Sequence, residues 1–127
     1  MRPDPDTPEA WLFYAHSDLT LAAATIPGVM RESLCFHAQQ AAEKSLKAIL
    51  IHQRVAFPKT HSIKLLVELL PDEIERTPAL LDAVTLTEYA TVFRYPGEIE
   101  PITEEEYRHL LAMATKVVRW AAALLNQ

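Results

Sequence analysis

Residues 36–50, FHAQQAAEKSLKAIL, place His37, Gln40, Lys44 and Lys47 at spacings that bring them to one side of a helix. Ammonium, imidazole and amide groups set side by side suit an anion such as a phosphate or a carboxylate. Two other segments carry matching chemistry. FPKTHS (57–62) offers Lys59 and His61, and RYPG (94–97) offers Arg94 and Tyr95, with Gly97 permitting an unusual backbone turn. An arginine can hold phosphate through two parallel N–H groups, and a histidine can act as a general base. The candidate anion-binding set is therefore His37, Gln40, Lys44, Lys47, Lys59, His61, Arg94 and Tyr95. Arg94, His61 and His37 are the candidates for any catalytic step.

A turn of about 100° per residue sorts the second helix into two arcs. Leu34, Cys35, Ala38, Ala42, Leu46, Ile49 and Leu50 form one; Phe36, His37, Gln40, Glu43, Lys44 and Lys47 form the other. A plain solvated face would account for the second arc. Three details point instead to a lined groove. Gln39 falls within the apolar arc, where a buried amide needs partners, and Phe36 falls within the polar one. Ala41 and Ala48 border the stripe and would let another helix come close. Gln39 is thus expected to be structural and Gln40 not. Cations packed without a counter-charge repel, so losing one is expected to leave the fold unharmed or steadier. Glu43 and Lys47 read as a routine i,i+4 pair.

The elements that must position these groups are helical. Residues 1–6 are a frayed lead-in. Thr7 and Pro8 cap a first helix whose stripe runs from Trp11 through Ala22 to Ile26, before Pro27-Gly28. A second runs from Arg31 to Gln53, and a short third from Ser62 to Leu70. A fourth opens at Thr77-Pro78 and extends to Phe93. Thr103 and Glu106 form a capping box for the last, striped by Tyr107, Leu110, Leu111, Ala114, Val117, Val118, Ala121, Leu124 and Leu125. The expected fold is all-α, an antiparallel up-and-down bundle of about five helices in a single domain, 1–127.

Half of the 127 residues are apolar, only two are glycine, and the formal charge is −5. That balance disfavours turn-rich β folds and a protein that coats nucleic acid by bulk charge, while leaving room for a local basic cleft. The single cysteine excludes an intrachain disulfide and a cysteine-based zinc site. No apolar run reaches about 18 residues, and the N-terminus is polar and proline-rich, so no membrane span and a cytoplasmic location are expected. No glycine-rich phosphate loop, HExxH, EF-hand or GxSxG occurs, and the five histidines lack zinc-ligand spacing, so no cofactor or metal is implied. TEEEY (103–107) is explained by its place at a helix start.

FHAQQAAEKSLKAIL, FPKTHSIKLLVELL and LTEYATVFRYPG, after a tryptophan-bearing first helix, together resemble the HEPN domain family, from Trp11 to Trp120 and in the family's order. The RYPG segment resembles one branch of it. The resemblance implies a helical bundle, a homodimer, and pairing with a minimal nucleotidyltransferase, often as a toxin–antitoxin module. Many relatives are metal-independent endoribonucleases with an arginine and a histidine a few residues apart on a late helix. Here no histidine follows Arg94 until His109; the pattern recurs at Arg31–His37 and Arg54–His61, away from the family's place. Three readings follow in order: a nucleotide- or RNA-binding partner subunit, an endoribonuclease, and a non-catalytic dimeric interaction module.

Overall fold

A computed structural model of the chain describes residues 6–90 and 101–127. Five α-helices, Pro8–Ala22 (α1), Arg31–His52 (α2), Ile63–Glu68 (α3), Pro78–Ala83 (α4) and Glu104–Leu125 (α5), and one 3₁₀ turn, Val84–Tyr89, make up its regular structure, with no strand among the described residues. The helix starts follow local chemistry. Thr7, Ser62, Thr77 and Thr103 each accept a backbone N–H three residues on through the side-chain oxygen, and Pro8 and Pro78 occupy first-turn positions. Glu106 does not complete the expected capping box, because its carboxylate accepts the Tyr89 hydroxyl.

Two boundaries differ from expectation. The first helix stops at Ala22, short of Ile26, since Thr25 and Ile26 are β-branched and Ile26 precedes a proline. The fourth gives up α geometry at Ala83 and tightens into the 3₁₀ turn, where β-branched Val84, Thr85 and Thr87 crowd the backbone. Thr85 Oγ1 there donates to the Asp82 carbonyl, and Thr87 Oγ1 accepts the Ile63 N–H of α3. The remaining expected helix residues, 91–93, lie outside the described residues.

α2 is the central element. Leu34, Cys35, Ala38, Ala42, Leu46, Ile49 and Leu50 are buried, all but Leu34 in the main core with Leu110, Ala114, Val117 and Ala121 of α5. The flank between this core face and the polar stripe is buried too, where Ala41, Ser45 and Ala48 are small and α1, which buries Ala15 and Ala22, packs closely. α1 runs antiparallel to α2, as Trp11 reaches Lys47 and Asp18 reaches His37. It is also antiparallel to α5, since the Tyr107 hydroxyl donates to the Ala22 carbonyl. α2 and α5 therefore run in the same direction. Arg31 bonds the Ile102 carbonyl at one end, and Gln53 and Gln127 line one cleft at the other. α3, α4 and the 3₁₀ turn supply the returning leg.

Candidate functional site

The polar arc of α2 faces α1 and the loop after α2, and two carboxylates organise it. Glu43, 3% exposed, accepts hydrogen bonds from Gln39 Nε2 (3.0 Å), Lys47 Nζ (2.9 Å) and His61 Nδ1 (2.8 Å). Asp18 of α1 accepts from His37 Nδ1 at 3.0 Å and from Lys44 Nζ at 2.6 Å. Each carboxylate thus holds one histidine and one lysine. Burial pushes the Glu43 carboxyl up, but the hydrogen bonds from Gln39, Lys47 and His61 and the charge of Lys47 outweigh it, leaving the pKa below its ordinary value.

Gln39 is fully buried and fully engaged, as its place in the apolar arc demands. Its amide also donates to the His61 carbonyl at 3.3 Å, and its oxygen accepts from Gln40 Nε2 at 2.7 Å. Lys47 is boxed in. Its ammonium lies 5.5 Å from the Trp11 ring centre and 5.8 Å from that of Phe57, with the two rings edge to face at 6.4 Å. Such an enclosed cation is held by ring quadrupoles as well as by its carboxylate. The expectation that these lysines lack counter-charges is therefore corrected; the Glu43–Lys47 pair forms at its expected i,i+4 spacing, but buried.

The candidate residues fall into distinct settings. Gln40, Lys47 and His61 gather around Glu43, directly or through Gln39; His37 and Lys44 gather around Asp18. Lys59 is exposed and makes no ion pair among the described residues. Arg94 and Tyr95 lie outside the described residues. Arg31, one arginine of the two misplaced Arg–His patterns, bonds the Ile102 carbonyl and fastens the start of α5.

Beside Lys44 an open cleft of about 370 Å³ is lined by Asp6, Ala10, Trp11 and Tyr14, mostly apolar apart from the ammonium and the carboxylate. Asp18, Glu43, Trp11 and Tyr14 were absent from the candidate set. Trp11 and Asp18 stand seven residues apart and share a face of the first helix, and Gln39, Glu43 and Lys47 form one i,i+4 ridge. That ridge links a buried amide to the ion pair in the sequence itself.

Comparison with known proteins agrees with this architecture. The family model described as HEPN domain matches residues 8–124. The crystal structure of TT1696 from Thermus thermophilus superposes with a TM-score of 0.79 at 27% identity, covering 91% of this chain and 96% of that one. The crystal structure of ST0689, an archaeal HEPN homologue, superposes with a TM-score of 0.72 at 26% identity, over 93% and 97% of the two chains. A search of curated proteins finds no match. The chain belongs to the HEPN family. No described helix is long and apolar enough to cross a membrane.

Proposed function

We propose that this HEPN chain is a cytoplasmic nucleotide- or RNA-binding subunit, a homodimer without cofactor, that partners a minimal nucleotidyltransferase in a toxin–antitoxin-like module. The cleft beside Lys44 carries the binding half of this reading. Its volume lies within the range of small-ligand sites, and Trp11 and Tyr14 offer aromatic surface for a nucleobase. The Lys44 ammonium spends one donor on Asp18 and keeps others for a phosphate. Asp6 supplies acceptors for a ribose hydroxyl or a base amino group. Lys59, His61, Arg94 and Tyr95 belong to the proposed site by their chemistry, Arg94 as a bidentate phosphate contact. His37 and Gln40 act through Asp18 and Gln39, and Lys47 is too enclosed to reach a ligand. The nucleotidyltransferase partner rests on family membership alone.

The dimer reading draws on α1. Phe13 and Leu21 of α1, with Ile26, Val29 and Met30 in the connection that follows, are large apolar side chains left exposed. Such patches mark interaction surfaces. The other large aromatics of α1 and α5 are occupied within the fold: Trp11 lies over Lys47, Tyr107 bonds Ala22, and Trp120 packs on the core.

A second reading, metal-independent endoribonuclease, is favoured by one observation. The Glu43 carboxylate holds His61 Nδ1, which leaves Nε2 without a partner among the described residues on a ring that is 65% exposed. This is the orientation a general base needs. Calorimetric titration of adenosine mononucleotides into wild type and Lys44→Ala tests the first reading; binding to wild type that weakens in the variant supports it, and no binding to either overturns it. RNA cleavage by purified wild type in chelator, lost in His61→Ala, would instead establish the second.

A further inference from the structure

Because α2 and α5 run in the same direction, their carboxyl ends meet at one end of the bundle. Between them and the loop that joins α3 to α4 lies a further cleft, of about 520 Å³. Its walls are of two kinds. Trp120 and Leu124 of α5 and Ile74 of the loop are apolar, whereas Glu73 and Glu75 of the same loop are exposed carboxylates. No lysine or arginine lines it, although Arg54, Arg76 and Arg119 each stand next to a lining residue in the sequence.

Arg76 explains both the shape of the loop and the missing counter-charge. Its guanidinium turns back on the main chain and donates to the carbonyls of Pro71 at 2.8 Å, Ile74 at 2.9 Å, Glu68 at 3.4 Å and Leu70. These four contacts fix the course of the loop and occupy the cation that lies closest to the two glutamates in sequence. Neither the Glu73 nor the Glu75 carboxylate forms an ion pair or hydrogen bond with a described residue. The carboxyl end of a helix adds partial negative charge, and α5 has no basic residue in its last turn to offset it. Two free carboxylates on a stapled loop, a helix end of the same sign and an indole thus share one cavity.

We propose that this cleft binds a linear aliphatic polyamine, with ammonium groups on Glu73 and Glu75 and the methylene chain against Trp120 and Leu124. The volume lies within the range of small-ligand sites. A metal ion would use the carboxylates but gain nothing from the apolar wall, and a neutral hydrocarbon would strand the carboxylates against it. An ammonium beside an indole gains from the ring quadrupole as well. Different residues line the Lys44 cleft, so this inference does not rest on the nucleotide reading.

The test is calorimetric titration with spermidine, set against butylamine, which has one charge, and magnesium chloride, which has no methylene chain. Wild type should bind a single spermidine per chain saturably, and butylamine more weakly. Glu73→Gln with Glu75→Gln should weaken spermidine at least about tenfold, with an unchanged melting temperature because both side chains are exposed. Trp120→Leu should weaken it about threefold. Glu104→Gln with Glu105→Gln removes the same charge from the opposite end of α5 and should leave spermidine binding as it is, as should Lys44→Ala.

Absence of saturable spermidine binding overturns the proposal. So does an equal loss in the Glu104 and Glu105 variant, or displacement by magnesium at equal charge concentration, since either marks diffuse attraction to an acidic protein. Tetralysine that binds more tightly than spermidine overturns it in favour of a docked basic peptide. None of these outcomes bears on the Lys44 cleft, whose nucleotide is titrated separately.

Discussion

His61 and Glu43 meet at 2.8 Å, an imidazole 65% exposed against a carboxylate 3% exposed, and this contact fastens the loop after α2 to the centre of the bundle. Gln39 reinforces it by bonding the His61 carbonyl, and Phe57 does so by closing over Lys47. The loop is therefore held by buried polar groups rather than by apolar packing alone.

Glu43 is the hub, so its loss should be severe. Glu43→Gln leaves Lys47, 8% exposed, without a counter-charge and should cost about 3 kcal/mol or more at neutral pH, read by urea denaturation. Lys47→Ala should also destabilise, reversing the expectation for an unpaired cation. An unchanged midpoint in both would show that the buried pair contributes nothing.

The same carboxylate gives a pH signature. Folding holds the Glu43 pKa below its ordinary 4.5, so the unfolded chain binds more protons there. The stabilisation is complete above that value and lost as pH falls from about 4.5 through the folded pKa. Wild type should lose more melting temperature than Glu43→Gln between about pH 6 and about pH 3. Parallel pH profiles would contradict this.

Gln39 and Gln40 should separate in stability. Gln39→Ala orphans donors and acceptors at a fully buried position and should cost about 1–3 kcal/mol. Gln40→Ala removes one bond from a half-buried side chain and should cost about 1 kcal/mol or less. Equal losses would mean that the amide pair does not act as described.

Much of this was legible in the sequence. The core face of α2 follows helical periodicity, and the buried Gln39 was visible as a polar residue in an apolar arc. The groove was legible from Ala41 and Ala48, which do admit α1. The Glu43–Lys47 pair was legible from its i,i+4 spacing, but the Asp18 pairs with His37 and Lys44 were not, because Asp18 comes from another helix and counter-charges across a tertiary contact leave no local spacing to read. The 3₁₀ turn escaped for a related reason: the Thr87–Ile63 and Tyr89–Glu106 contacts that accompany it span the fold.

The exposed apolar face of α1 should carry the dimer. Phe13→Asp with Met30→Asp should convert a dimer to a monomer in sedimentation at tens of micromolar, with little change in melting temperature, since both side chains are about half exposed or more. A wild-type monomer at that concentration would contradict the dimer, and an unaffected dimer would place its interface elsewhere.

The cleft itself is tested most directly by fluorescence. The chain has two tryptophans, Trp11 in the cleft wall and Trp120 on α5, so Trp120→Phe leaves a single reporter beside Lys44. Titrating this protein with an adenosine mononucleotide should quench Trp11 saturably, and the added change Lys44→Ala should weaken binding by roughly 1–2 kcal/mol, less so at high salt. Trp11 emission that does not respond while calorimetry shows the nucleotide bound, or quenching indifferent to Lys44, would contradict a nucleotide site between α1 and α2.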